Sequence, residues 1–206
     1  MTARWYQFAQ QYQLDKGQRE RFERYALLLM AWNKRINLTA IRNESDILDF
    51  HFKDSLQLSK IIALQKIEQI VDVGTGAGLP GIPLAIKYPH IQVTLIEVNA
   101  KKIKFLDNVI QELKLEGQVD IFDQDWRTFL RKTELPAQCF CARASLQPDE
   151  LVRIFKPASY YKGASLVYWA SAQWEPSKTV APFIIDQKLY QIGSKQRKLV
   201  LLQNNQ

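Results

Sequence analysis

The sequence predicts an α/β fold: a doubly wound, mostly parallel sheet with an antiparallel edge, preceded by an N-terminal helical segment. Three observations carry the prediction. The first ~65 residues have a helical apolar period and no Gly or Pro between Gly17 and Gly74. From Ile70 onward, short β-branched runs alternate with helical patterns, which implies parallel strands covered on both faces. The first of those runs ends at three closely spaced glycines, and in such sheets the ligand sits beyond the carboxyl ends of the strands. The expected division is a helical segment over residues 1–65 packed on a domain over residues 66–206.

Each element has its own signal. Phe22, Tyr25, Ala26, Leu29, Met30 and Ile36 form an apolar face, with Arg19, Glu20, Glu23 and Arg24 opposite. The pattern breaks at Asn37-Leu38-Thr39, and Asn43 or Ser45 can cap a second helix carrying Ile47, Leu48, Phe52 and Leu56. Residues 67–73 and 92–96 read as strands, and 101–115 as a helix through Ile103, Leu106, Val109, Ile110 and Leu113. Residues 119–122, 138–142 and 165–170 are expected strands with helices between them. Residues 183–185 and 199–202 form a late pair suited to the antiparallel edge.

Composition narrows the class. The 206 residues are 47% hydrophobic and 24% charged, which suits one globular domain with an extension. No stretch approaches ~20 apolar residues, so no membrane-spanning helix is expected. Met1 to Gln11 lacks a basic start followed by an apolar run, so a secretory leader is not expected either. The two cysteines, Cys139 and Cys141, make neither a disulfide framework nor a zinc set, and point to a reducing cytoplasm with no metal. The net charge of +7 is uneven: residues 71–150 are net −2, whereas residues 151–206 are net +6. An acidic centre between basic ends suits a polyanion partner, although a solvated basic surface gives the same total.

The chemical signal is the run Val71-Asp72-Val73-Gly74-Thr75-Gly76-Ala77-Gly78. Glycines there let main chain approach a ligand closely. Glu97 ends the next expected strand, where a carboxylate can accept two hydrogen bonds from a ribose diol. The alternate spacing Gly-Thr-Gly-Ala-Gly differs from the nicotinamide fingerprint, and the Gly-Lys-Ser/Thr ending of a phosphate loop is absent. Asp72 adds an anion that would repel a diphosphate and attract a cation. Sulfonium and ammonium groups make S-adenosyl-L-methionine the matching ligand, and the fold that of a class I methyltransferase with a Rossmann-like sheet.

Residues 32–41 (Trp-Asn-Lys-Arg-Ile-Asn-Leu-Thr-Ala-Ile), His51-Phe52-Lys53-Asp54-Ser55-Leu56, residues 72–85 and Lys101 to Leu106 together resemble the RsmG (GidB) family. Those proteins are bacterial methyltransferases that make 7-methylguanosine in 16S ribosomal RNA. The likeness is firm over residues 25–115 and faint over 137–170. It implies that Gly74, Thr75, Gly76, Gly78 and Leu79 hold the methionine part of the cofactor, with Asp72 facing the ammonium. It implies Glu97 on the ribose, and Asp125 and Trp126 at the adenine. Arg143 matches the family's Ser-Arg-Ala and is expected to touch both the cofactor, near the methyl group, and the RNA; Arg143 and His51 are the expected catalytic residues, with His51 and Asp54 bordering the site. His51 reads equally as a packed histidine, Asp54 as an internal ion-pair anchor, Arg143 as the partner of a core carboxylate, and Trp126 as core.

Guanine N7 has an exposed lone pair, so its methylation needs no general base, and no acid/base dyad stands out. The Asn-Pro-Pro-Tyr and Pro-Cys motifs of other nucleic-acid methyltransferases are absent. The expected partner is 16S RNA or the small ribosomal subunit, and the expected state a monomer. The family's arginine after the third strand is missing from Asp123-Gln124-Asp125-Trp126-Arg127, and residues 116–190 depart from the family pattern. Two alternatives therefore stand beside this reading: a related methyltransferase acting on another RNA or a protein, and a catalytically silent RNA-binding protein.

Overall fold

The structure is a computed structural model that describes residues 3–204. Two helices open the chain, α1 (Ala3–Gln11) and α2 (Lys16–Asn33). Asp15 caps α2 by accepting from the Gln18 amide, and the Gln18 side chain accepts from the Asp15 amide in return. These reciprocal bonds satisfy two amides that a helix start leaves without partners. Trp5, Phe8, Phe22 and Phe52 meet in edge-on and tilted contacts that lock both helices to the segment after them.

The sequence pattern of residues 47–56 suggests one α-helix, and the structure differs. A four-residue α3 (Glu44–Ile47), capped by Asn43, widens into a π-helical turn over Leu48–Lys53. Side chains take up carbonyls within and just after this turn: Ser55 Oγ donates to His51 O at 2.7 Å, and Gln57 Nε2 to Lys53 O at 2.9 Å. Apolar spacing cannot distinguish such a turn from a regular helix, because both bury Leu48, Phe52 and Leu56.

The sheet follows: β1 (Gln69–Val73), β2 (Gln92–Ile96), β3 (Val119–Phe122), β4 (Cys139–Arg143), β5 (Ser165–Ser171), β6 (Ile184–Ile192) and β7 (Lys195–Leu202). Its order is β3-β2-β1-β4-β5-β7-β6, with β7 alone reversed: it pairs antiparallel with β5 on one side and with β6 on the other, and the other six strands run in one direction. Helices α4 (Gly81–Lys87), α5 (Ala100–Leu113), α6 (Trp126–Lys132) and α7 (Pro148–Leu151) lie in the connections. Strand side chains alternate between faces: Cys139 and Cys141 join the core shared with α1, α2, α4 and α5, whereas Phe140 and Ala142 join the core under α6 and α7. The first of these cores runs unbroken from Trp5 to Leu201, so the N-terminal helices and the sheet share one apolar interior.

The late strands are longer than their sequence signal. Residues 183–185 and 199–202 mark only the apolar ends of a nine- and an eight-residue strand, respectively, joined at Gly193-Ser194. Residues 186–198 are mostly polar because the hairpin is the sheet's edge, and much of it faces solvent. Charged side chains there discourage pairing with another chain.

Candidate active site

The strand order reverses at β1, which lies between β2 and β4. Open α/β sheets bind ligands in the crevice beyond such a point. A cavity of about 280 Å³ lies there, walled by Val73, Gly74, Ile96, Glu97, Asp125 and Trp126, with Val98, Arg127, Leu146 and Glu150 completing it. Four sequence-predicted residues, Gly74, Glu97, Asp125 and Trp126, are thus brought to one cleft.

The glycine loop shapes its floor. Gly74 (φ +64°) lies so close to Ser145 that a Cβ would stand 2.7 Å from the Ser145 Cβ. At Gly76 (φ +62°) a Cβ would enter open space, with only the Lys102 Nζ at 4.0 Å. Gly76 is partly exposed but does not line the cavity, and its conformation is one that other residues adopt at a cost of about 1 kcal/mol. From below, the Tyr25 hydroxyl of α2 donates to the Ala77 carbonyl, fastening the loop to the N-terminal helices.

Glu97 ties the loop to α5. Its Oε2 accepts from the Gly76 amide at 3.0 Å, and its Oε1 from the Val98 and Asn99 amides, both at 3.0 Å. Lys102 Nζ lies 3.7 Å from Oε2. A carboxylate has about four acceptor directions, so Glu97 keeps capacity for a hydroxyl donor in the cleft.

Asp72 is fully buried beneath the loop and is not part of the cleft wall. Its Oδ2 accepts from Thr75 Oγ1 at 2.6 Å and from the Gly81 amide at 2.8 Å. Its Oδ1 has no hydrogen-bond partner among the described residues. Burial pushes the carboxyl up to about 6, against the pull of these donors. An orphaned buried carboxylate oxygen fits a cationic N–H donor.

Thr75 and Leu79 turn inward: the Thr75 hydroxyl is spent on Asp72, and Leu79 packs in the core. Gly78 is packed against Ile82, Tyr25 and Leu106. Asp125 caps α6, accepting from the Thr128 amide at 3.0 Å and the Thr128 hydroxyl at 2.7 Å, bonds that hold its carboxyl below the usual range. Trp126 belongs to both readings the sequence left open, since it is buried in the core and also lines the cleft. Its indole N–H donates to Glu150 O, and Arg127 clasps the Glu150 carboxylate through two bonds of 2.7 and 2.9 Å.

Arg143 and His51 lie outside this cleft. Arg143 Nη1 donates to Asp54 Oδ2 at 2.9 Å and to Phe50 O at 3.3 Å, and Nη2 lies 3.1 Å from His51 Nδ1. An arginine can only donate, so toward Arg143 Nδ1 is the acceptor; Nδ1 also lies 3.2 Å from Phe50 O, and Nε2 lies 2.8 Å from Thr39 Oγ1. Burial, then the Arg143 charge, lowers His51 to about 3, so the ring is neutral. Arg143 thus pairs with a core carboxylate, as one of the sequence alternatives had it. Asp54 also accepts from Arg197 Nη1 at 2.8 Å and from the Tyr190 hydroxyl at 2.7 Å, joining the π-helical turn, β4 and the hairpin.

Sequence reasoning did not assign Val98, Leu146, Arg127 or Glu150 to the site. Val98 carried a usable signal, an exposed apolar residue directly after the strand-ending acid. The Arg127–Glu150 clasp spans 23 residues with no motif.

A glycine loop after β1, a carboxylate ending β2 and this strand order define the class I methyltransferase fold. TrmK from M. capricolum, solved in complex with S-adenosyl-homocysteine, is similar, with a TM-score of 0.57 and 15% identity over 74% of this chain and 68% of that chain. The C-terminal domain of precorrin-6Y C5,15-methyltransferase from Rhodobacter capsulatus has a TM-score of 0.53 and 16% identity over 72% and 86% of the two chains. The family model for rRNA small subunit methyltransferase G (GidB) matches residues 18–200, and the chain belongs to that family. Proteins named ribosomal RNA small subunit methyltransferase G are similar to it: one from Clostridium tetani is 45% identical over 103 residues, 50% of this chain and 43% of the relative. One from Caldanaerobacter subterraneus subsp. tengcongensis is 45% identical over 98 residues, 48% and 41% of the two chains. The matched stretch thus spans less than half the length of these curated relatives.

Proposed function

We propose that the protein transfers a methyl group from S-adenosyl-L-methionine to N7 of a guanine in 16S ribosomal RNA, by in-line attack without a general base. The observation that carries this reading is the cleft at β1, walled by Gly74 and the strand-ending carboxylate of Glu97, with the orphaned Asp72 oxygen buried beneath its glycine loop, in a chain of this family.

Bound there, the cofactor supplies a methyl group made electrophilic by a positively charged sulfur. The chain's residues do the rest. Gly74, Gly76 and Gly78 would hold the methionine part through main chain, with Thr75 and Leu79 fixing the loop from inside. Asp72 would receive the ammonium, directly or through water. Glu97 would accept from the ribose hydroxyls, and Asp125 and Trp126 would border the adenine. Guanine N7 carries no proton to remove, so the chain's task is alignment and exclusion of water. His51, neutral and already accepting from Arg143, would be a poor base, and both residues serve to shape the substrate side. The protein would act as a monomer in the cytoplasm, on free 16S RNA or on the small subunit.

The test is transfer of labelled methyl from S-adenosyl-L-methionine to small ribosomal subunits from a strain lacking this gene. Label in 16S RNA recovered as 7-methylguanosine is the expected result. Label in protein, or on another nucleoside, would assign the cleft to a different substrate.

A further inference from the structure

We infer that a second groove, beside the cleft, seats the target nucleotide of the RNA, with Lys195 and Arg197 on its phosphate and Gln173 and Gln196 on its base. This rests on the methyl-transfer reading above and says where the substrate lies.

The groove has a volume of about 530 Å³ and lies across the ends of β4, β5 and β7. That is within the range of about 300–1,000 Å³ usual for small-molecule sites. The segment Arg143-Ala144-Ser145-Leu146 is a wall common to both cavities. Arg143 and Ala144 line the groove, Leu146 lines the cleft, and Ser145 lies against Gly74 between them. Ala144 has φ +51°, a left-handed conformation, and the chain holds it at the point where the two cavities meet.

The charge of the groove suits a polyanion. No Asp or Glu lines it among the described residues. The carboxylate that touches its cations is Asp54, buried and shared by Arg143 and Arg197. Two guanidiniums on one carboxylate leave a positive charge, and Arg197, with a side chain 30% exposed, spends only Nη1 on that bond. Lys195 adds a second charge, its ammonium 4.8 Å from the centre of the Phe50 ring.

The neutral groups suit a purine. When N7 is the atom that accepts methyl, the Watson–Crick edge of guanine remains to be read: O6 as acceptor, N1–H and N2–H as donors. An amide side chain offers a donor and an acceptor together. Gln173 and Gln196 both line the groove and are exposed, with no side-chain hydrogen bond among the described residues. Tyr168, half-buried in the same groove, supplies an aromatic surface for the base.

The test compares Lys195→Ala and Gln196→Ala with the unaltered protein and with Lys16→Ala, an exposed cation on α2. Three quantities are measured: filter binding of 16S RNA against salt, kcat and KM for methyl transfer to RNA, and S-adenosyl-homocysteine affinity. Both altered residues are exposed on the edge hairpin, so melting temperatures should match the unaltered protein. Lys195→Ala should raise KM for RNA about three- to tenfold and flatten the plot of log affinity against log salt by roughly 0.7, one phosphate contact. Gln196→Ala should lower kcat/KM about tenfold with the salt slope unchanged, and Lys16→Ala should change nothing. Cofactor affinity should be the same in all four proteins. Unchanged RNA binding and kcat/KM in both groove variants would overturn the inference. If the unaltered protein transfers no methyl but RNA binding still depends on Lys195, the methyl-transfer reading fails and the groove remains an RNA site.

Discussion

Asp72 is the residue whose chemistry is most exposed to test. Its carboxyl lies near 6 in the folded protein, above its ordinary value of 3.8, because burial penalises the anion. The native state therefore holds that proton more tightly than the unfolded chain, and the residue's contribution to stability falls as pH rises from about 4 to about 6. A cationic ligand at Oδ1 reverses the preference. Calorimetric titration with S-adenosyl-homocysteine, which retains the ammonium, should show affinity falling by up to about tenfold per pH unit below pH 6. Asp72→Asn should weaken binding at neutral pH and remove that dependence; a dependence that persists in Asp72→Asn would place the titrating group elsewhere. Asp72, the glycines and Glu97 were legible in the sequence because chain order alone places them: strand, turn, strand end. The Arg143–Asp54–Arg197 cluster was not, since its members are 89 and 143 residues apart and bear no shared pattern. The sequence offered a core partner for Arg143 as an alternative but could not name Asp54.

Among the elements, the π-helical turn at Leu48–Lys53 does what a regular helix would not. It leaves the Phe50 carbonyl available to Arg143 and turns His51 and Asp54 toward the same guanidinium. Single π-turns within helices recur at functional sites. Ser55, fully buried, satisfies the His51 carbonyl, so Ser55→Ala should cost about 1–3 kcal/mol in urea unfolding through the stranded acceptor. A cost under about 0.5 kcal/mol would mean that the turn does not depend on that bond. Period and capping located the helices, and Asn43 proved to be the cap, but no apolar spacing reports a one-residue widening. The edge hairpin escaped for a related reason: strand patterns are visible where one face is buried, and residues 186–198 bury little. That stretch carries Lys195, Gln196 and Arg197, so the least legible part of the fold is also the part facing the inferred substrate.

At the scale of the whole molecule, the N-terminal helices are built into the site rather than appended to it. Their aromatic cluster of Trp5, Phe8, Phe22 and Phe52 continues through Tyr25, stacked on Phe52, to the glycine loop. The proposed segments 1–65 and 66–206 should therefore unfold in one transition, and Phe22→Ala should destabilise both together by about 3–5 kcal/mol. Two separated transitions by fluorescence and far-ultraviolet dichroism would show independent units instead. In the function proposed above, this architecture aligns a cofactor and a guanine N7 and moves no proton in the chemical step. That function is tested most directly by single-turnover methyl transfer to small ribosomal subunits lacking the modification, at saturating S-adenosyl-L-methionine, with nucleoside analysis at each pH. The expected result is 7-methylguanosine formed at a rate that is flat between about pH 6.5 and 9. A rate rising tenfold per pH unit in that range, or a methyl group on another atom, would contradict it.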